Sequence, residues 1–413
     1  MQNYKKVLTV VMTLLATGTL FAQTATQSPY TRYGYGRLYD SSFGASKSMG
    51  GVSTGLRNNN QINNANPATY SVTDSTTFLF DVGVFAEFGR FNDNGSTRNE
   101  PTGGVEYVAV QFPLIKNMGA SIGLTPFSSV GYRFGSTSSD PIAMDYIYQG
   151  EGGLSNVYAG LSYNIAKRVA IGVNVGYLFG KIDHIGTVDF TDSNVNDSQL
   201  TQRLRVRGLK SDFGIQYQQP IGKDYNLVLG ATYSPKISLW SEASQIEYVT
   251  GSTATTTELD ANFSIPEAYS VGASLRYKDK LLFALDYKLQ DFSKAEYYST
   301  LDTLNRNQRY SFGAEYTPNS ESRKYFQRMK YRAGFYYSDS YLKVKDEALK
   351  EWGVSMGMGF PIGYRNSQGS ILNVALEYVN VKPTSSLLIK EEYFRFTLNM
   401  TFKEFWFFKR KLD

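Results

Sequence analysis

The feature that most restricts the fold of this chain is an alternation of apolar and polar residues that recurs after about residue 75. The clearest example is residues 393–402, YFRFTLNMTF, in which every second residue is apolar and the intervening residues are mostly polar. A period of two places successive side chains on opposite faces of a β-strand. Segments of about ten residues that are apolar on one face and polar or Gly-rich on the other are typical of a transmembrane β-barrel.

Fourteen segments of this kind can be placed, so the predicted fold class is all-β, an antiparallel transmembrane β-barrel of about 14 strands. An even number leaves both ends of the barrel in the periplasm. Short turns alternate with long polar connections, which we interpret as external loops, near 90–103, 135–153, 187–198 and 251–258. The predicted strands occupy residues 76–89, 104–115, 118–134, 154–166, 168–186, 199–218, 225–250, 257–278, 280–294, 307–318, 328–342, 348–362, 370–382 and 391–403.

Composition excludes several classes of function. No apolar run after residue 22 approaches the ~18 residues of a membrane-spanning helix. Cys is absent and His184 is the only histidine, which excludes disulfides, thiolate metal sites and multi-histidine zinc sites. The segment 192–197 resembles the start of a calcium-binding loop, but Asp197 stands where that loop needs Gly. We therefore expect no enzyme active site, no metal and no cofactor, and the net charge of +5 is too small to indicate nucleic-acid binding.

The first 22 residues have the composition of a secretory signal peptide. Lys5 and Lys6 supply the positive start, residues 7–18 are mainly apolar, and Ala22 is a small residue directly before the predicted cleavage point. A cleaved signal peptide followed by a barrel predicts a mature protein that is integral to the outer membrane.

Residues 23–74 lack the alternation and are rich in Ser, Asn, Gly and Thr. Such a segment needs another surface to pack against, and a barrel of this size would otherwise enclose an open aqueous pore. We therefore predict that residues 23–74 form a hatch inside the lumen of a barrel spanning residues 75–403. Residues 404–413 form an aromatic and basic tail, which is either a docking patch for a partner or part of the aromatic girdle at the inner interface.

A short motif, Asn66-Pro67-Ala68, stands before the first predicted strand, and further motifs follow at 152–154, 176–180, 265–267, 286–293 and 310–318. Together these residues resemble the FadL/TodX-type outer-membrane transport family, whose hatch contains an Asn-Pro-Ala segment. The resemblance covers most of the mature chain. It implies a fourteen-stranded barrel with a luminal hatch, in which Asn66, Pro67 and Ala68 are hatch residues.

The resemblance also implies a function, which is passive transport of hydrophobic compounds, with long-chain fatty acids among the candidates, and sideways exit at a kinked third strand. Pro126, Phe127, Ser128 and Ser129 lie in that strand here, and Pro126 cannot donate a hydrogen bond to a β-ladder. The kink is either a lateral opening, with the serine hydroxyls serving a carbonyl left unpaired by Pro126, or an ordinary bulge. Because some relatives are machinery subunits, the alternative function is a non-transporting barrel subunit of an outer-membrane protein secretion or assembly complex.

Three arginines, Arg203, Arg205 and Arg207, share one strand face near the external end of the barrel. They are candidates for contact with lipid-headgroup phosphates, since Arg suits phosphate recognition. The alternatives are salt bridges at the rim or a bulge that turns the side chains inward. The expected partners are outer-membrane lipids and a hydrophobic small-molecule ligand, with other outer-membrane proteins as a further candidate and no nucleic acid.

Overall fold

The computed structural model describes residues 26–405 except 94, 139–142, 193, 298–302, 345–346, 363–368, 384 and 386–387. Its strands form one closed antiparallel barrel of fourteen strands, which confirms the predicted fold class and strand number. The ring closes where the last strand pairs with the first, from Lys390 opposite Asn92 to Phe405 opposite Thr77. The predicted signal peptide, residues 1–22, and residues 406–413 of the predicted tail lie outside the described residues.

The barrel strands are numbered β1–β14 in chain order. Their bounds are β1 Thr77–Asp93, β2 Ser96–Ile115, β3 Met118–Ser138, β4 Met144–Ala166, β5 Val169–Phe190, β6 Ser198–Ile221, β7 Tyr225–Ser234 and Ile237–Val249, β8 Thr255–Leu259, Phe263–Ile265 and Glu267–Tyr277, β9 Leu281–Asp291, β10 Thr303–Leu304 and Arg306–Tyr316, β11 Lys330–Val344, β12 Glu347–Pro361, β13 Ile371–Pro383 and β14 Lys390–Phe405. The remaining elements are not part of the wall. They are a short strand, Arg37–Leu38, the 3-10 helices Pro29–Arg32, Gly44–Met49, Pro67–Val72 and Phe292–Lys294, and the α-helix Tyr325–Arg328. None of the helices among the described residues is long and apolar enough to cross a membrane.

Side chains alternate along the barrel strands, with apolar residues on the outer face. In β14, Phe394 and Phe396 are exposed on the outside, whereas Tyr393, Thr397 and Asn399 are buried on the inside. The outer face therefore meets lipid, and the inner face supplies the polar groups that contact the residues within the barrel.

The prediction of long external loops is wrong for most of their length. Residues 90–93 continue β1, residues 96–103 continue β2, and most of residues 135–153 are also strand, as are residues 187–190 and 255–258. The alternation disappears there because the hairpins rise above the apolar layer, where both strand faces tolerate polar residues. At the other end, β14 runs to Phe405, two residues beyond the predicted limit of the barrel at residue 403.

Residues 26–74, the described part of the predicted hatch, pack against the inner wall, and inward-facing glycines make room for them. In three places, two glycines lie opposite each other on neighbouring strands, namely Gly172 and Gly214, Gly230 and Gly272, and Gly313 and Gly334. A Cβ atom added at Gly230 would lie only 2.0 Å from the carbonyl oxygen of Thr54. The close fit leaves no space for larger side chains at this level of the wall.

The external end of the lumen is closed by an aromatic cluster around Tyr35. This side chain is fully buried, and its ring centre lies 4.8 Å from that of Phe263 and 5.2 Å from that of Phe292. The Tyr35 hydroxyl also donates a hydrogen bond to the carbonyl of Ser264. Since aromatic pairs contribute about 0.5–1.5 kcal/mol beyond their buried area, the cluster holds the start of the hatch against the external hairpins.

Replacing Gly230 by Val should displace the hatch, because the new side chain would overlap the Thr54 carbonyl at a cost of about 1–3 kcal/mol. The expected variant still migrates as a folded barrel in unboiled gels but is cleaved by trypsin after Arg57 and conducts more ions in planar bilayers. Gly186→Val is the matched control, since the nearest atom to its added Cβ lies at 3.8 Å. Equal protection of Arg57 in both variants would contradict the close fit.

Candidate functional site

The wall of the barrel separates between β2 and β3 over their external halves. The two strands pair from Ile115 opposite Met118 to Val108 opposite Leu124, and no further backbone pairing joins their described residues. Beyond that point β2 continues only with β1, and β3 continues with β4. The register shifts beside the separation on both strands, at Glu106 in β2 and at Phe127 in β3. Bulges bend strands, so these two direct β2 and β3 away from each other.

The edge of β3 that has separated from β2 pairs instead with the short strand Arg37–Leu38, which lies inside the barrel and which we call the hatch strand. Leu38 lies opposite Ser128 and Arg37 opposite Ser129. The backbone N–H of Tyr39 donates to the carbonyl of Phe127 at 3.0 Å. The hatch therefore takes the place of β2 as the neighbour of β3 along this stretch.

The structure differs from the expectation that serine hydroxyls serve the carbonyls near Pro126. The backbone of the hatch strand pairs with this segment instead, and the hydroxyl of Ser128 is buried without a hydrogen-bond partner among the described residues. Phe127 is a bulge, and the same segment borders the separation in the wall. A lateral opening at this segment stays a prediction.

An ion-pair cluster fixes the hatch strand to the wall. The carboxylate of Glu87 in β1 is almost fully buried and pairs with Arg37 of the hatch strand and with Arg395 of β14, the latter at 2.8 Å. The guanidinium of Arg37 also lies 4.2 Å from the ring centre of Tyr393. Breaking a buried pair by removing one partner costs about 3–5 kcal/mol, so this cluster is a strong local fixation point.

The Asn-Pro-Ala motif lies deeper in the lumen and organises the rest of the hatch. Asn66 caps the 3-10 helix Pro67–Val72, since its side-chain oxygen accepts a hydrogen bond from the N–H of Ala68. Its side-chain nitrogen donates to the carbonyl of Thr54 at 2.9 Å. The carboxylate of Asp286 in β9 accepts hydrogen bonds from the N–H groups of Ser53 and Thr54 at 2.6 and 2.8 Å.

Two cavities of about 170 and 130 Å³ adjoin the hatch strand, and both are lined by Leu38, Tyr39 and Asp40. The second cavity reaches Pro126 and Phe127 at the separated wall. Charged side chains line both cavities, among them Asp40, Asp212, Asp286, Lys288, Arg309, Glu351, Glu377 and Arg395. Space beside the separated wall is therefore present, and charged and apolar groups share its lining.

The arginine row of β6 faces outward, as the alternation predicts. Arg203 forms an ion pair with Asp183 at 2.9 Å, in agreement with the rim salt-bridge alternative for this residue. The guanidinium of Arg207 lies 3.7 Å from the ring centre of Trp240, and Arg205 is exposed. None of the three side chains is turned into the lumen.

The model of the BamG family matches residues 4–413 of this sequence. The chain belongs to the BamG family. No curated protein matches the sequence. The fold is that of FadL-type outer-membrane hydrocarbon channels, as the structural neighbours show.

Three solved structures illustrate this likeness. The toluene transporter TbuX of Ralstonia pickettii is 14% identical, with a TM-score of 0.61 and coverage of 88% of this chain and 98% of TbuX. A FadL homologue of Pseudomonas aeruginosa is 12% identical, with a TM-score of 0.62 and coverage of 89% and 99%. The toluene transporter TodX of Pseudomonas putida is 14% identical, with a TM-score of 0.61 and coverage of 90% and 100%.

Sequence reasoning missed the hatch strand and the buried Glu87 cluster. Arg37 and Leu38 form only two residues of strand, which is too short to produce a periodic signal. Glycines at alternate positions of many barrel strands were the available signal for a closely packed hatch, because a strand interior normally disfavours Gly unless another backbone approaches.

The absence of Cys makes the hatch strand directly testable. Leu38→Cys together with Ser128→Cys should form a disulfide under mild oxidation, because Cα atoms of opposed antiparallel residues lie about 4.5–5.5 Å apart. The cross-link should appear as a reducible shift in a denaturing gel. The control pair is Leu38→Cys with Ser162→Cys. Ser162 lies about nine residues further along the β3–β4 ladder than Ser128, a distance of roughly 30 Å. Equal cross-linking in both pairs would indicate a hatch strand without a fixed register.

Proposed function

We propose that this protein is an outer-membrane channel for passive passage of hydrophobic compounds, with exit into the membrane between β2 and β3. The observation that carries the proposal is the edge of β3 that has separated from β2. This edge borders a cavity at Pro126 and Phe127 and, among the described residues, pairs only with the hatch strand. Long-chain fatty acids are the substrate class to test first. The likeness of the fold to the toluene transporters TbuX and TodX supports this proposal.

In this mechanism the hatch strand is the movable element. When Arg37–Leu38 leaves the edge of β3, the cavity beside Pro126 gains a path through the wall. An apolar compound then reaches the hydrocarbon layer sideways, without crossing the polar headgroups. Opening breaks a few backbone hydrogen bonds of about 0.5–1.5 kcal/mol each and the ion pair between Arg37 and Glu87, whereas the ladder of the barrel itself stays intact.

The second candidate is a non-transporting barrel subunit of an outer-membrane protein secretion or assembly complex. The observation that favours it is the chemistry of the lumen. Ligand sites for apolar compounds are lined mainly by apolar and aromatic side chains. Both cavities beside the hatch strand carry charged groups from hatch and wall, among them Asp40, Lys288 and Arg309. A barrel filled in this way suits a fixed scaffold, and its partners would bind on outer or periplasmic surfaces.

The cross-link between Leu38→Cys and Ser128→Cys separates the two candidates. If the hatch strand is the gate, oxidised protein in liposomes should lose most uptake of a fluorescent long-chain fatty acid, and reduction should restore it. The Leu38→Cys single variant, treated with the same oxidant, is the control. Uptake that is equal in oxidised and reduced protein, and equal to that of empty liposomes, would instead favour the scaffold, as would recovery of a large stable complex from native membranes in mild detergent.

Straightening β3 gives an independent test. Pro126→Val combined with Ser128→Thr and Ser129→Thr supplies the missing N–H and β-branched side chains, which favour a regular ladder. Fatty-acid uptake should fall several-fold while heat-modifiable migration is kept. Unchanged uptake in that folded variant would contradict exit at this segment.

A further inference from the structure

The outer surface of the barrel carries a basic patch that the proposed function does not use. It is formed by outward-facing residues of β5, β6 and β7 that lie in matching rows. In one row Arg205 lies between Lys181 and Glu242, and in the next, towards the periplasm, Arg207 lies between Phe179 and Trp240. The patch therefore combines guanidinium and ammonium groups with an aromatic border.

The patch lies at the outer boundary of the apolar layer. Along β6, the exposed residues Tyr217, Ile215 and Phe213 mark the part of the outer face that meets lipid. Ten residues separate Tyr217 from Arg207. With a rise of about 3.3 Å per residue and a strand tilt of about 40°, this distance is roughly 25 Å along the membrane normal, the height of the apolar band of outer-membrane barrels. Arg207 and Arg205 are thus at the level of the outer-leaflet headgroups.

The charges of the patch are not all neutralised within the protein. Asp183 is occupied by Arg203 at 2.9 Å and Lys181 at 3.3 Å. Among the described residues, Arg205 forms no ion pair with a carboxylate, although Glu242 lies opposite it in the ladder. Arg207 lies face to face with Trp240, an arrangement that leaves the edge of the guanidinium free to donate hydrogen bonds.

We propose that Arg205 and Arg207 bind a phosphate group of a phosphorylated glycolipid of the outer leaflet, of the diphosphorylated lipid A type. A guanidinium presents paired N–H donors that match the oxygens of a phosphate, and such charge-assisted bonds are strong. Trp240 and Phe179 form the aromatic border at the headgroup level, where their rings contact the first part of the acyl chains. Arg203 and Lys181 are excluded from the site because Asp183 forms ion pairs with both.

The test uses the purified full-length mature protein in detergent micelles, titrated with diphosphoryl lipid A, with bound lipid counted by native mass spectrometry. Arg205→Gln with Arg207→Gln should weaken binding roughly 30-fold, about fivefold for each arginine, as expected for basic residues near an anionic membrane surface. Glu242→Gln should strengthen it, because a competing carboxylate is removed. Dephosphorylated lipid A should bind the wild-type protein no better than it binds the double variant.

Lys223→Gln with Lys278→Gln is the matched control, since it removes two exposed lysines from the opposite, periplasmic rim. This control should bind diphosphoryl lipid A as the wild-type protein does. Arg205→Gln alone provides a milder change if the double variant folds poorly, and heat-modifiable migration confirms folding of each variant. Equal affinity of wild-type and double variant, an equal loss in the lysine control, or equal binding of the dephosphorylated lipid would overturn the proposal.

Discussion

Every backbone N–H and C=O group at membrane depth must find its partner within the protein, because hydrocarbon offers none. The closed ladder from β1 to β14 satisfies this requirement almost everywhere. Among the described residues, the external halves of β2 and β3 are an exception, because the two strands separate after Leu124. The hatch strand supplies a partner for Ser128 and Ser129 of β3 from inside the lumen. Wall and hatch are therefore parts of one hydrogen-bonded structure, and the hatch is needed to complete the wall as well as to fill the lumen.

The same dependence appears in the electrostatics. Glu87 is buried on the inner face of β1, where an unpaired carboxylate would be costly. One of its partners, Arg395, belongs to the wall and the other, Arg37, belongs to the hatch. If the hatch strand moved, Glu87 would keep Arg395 as a partner, and only Arg37 would lose its carboxylate. This arrangement permits a local displacement of the hatch strand at a smaller cost than complete removal of a partner would imply.

How far the sequence predicts this structure depends on the range of the interaction. Alternation along β14 is local, and a local period of two was sufficient to predict its strand and its outward face. The pairing of Arg37 with Ser129 joins residues more than ninety positions apart and leaves no periodic trace. The external hairpins, such as that between β1 and β2, escaped prediction for a different reason. Above the membrane, the hydropathy of a residue no longer depends on the face it occupies.

The two candidate functions differ in the properties that they require of the lumen, and not in those that they require of the hatch strand. Releasing the two-residue hatch strand costs a few hydrogen bonds of about 0.5–1.5 kcal/mol each and also the ion pair between Arg37 and Glu87, and this cost is the same for both candidate functions. An apolar compound must in addition pass Lys288, Arg309 and Asp40, which line the space before the opening. Desolvating such groups against an apolar surface is unfavourable unless they remain paired with one another. Asp40 and Arg309 lie 3.7 Å apart, so this part of the lumen already contains such a pair. Under the transport proposal, passage would depend on how completely the luminal charges neutralise each other while the compound is beside them.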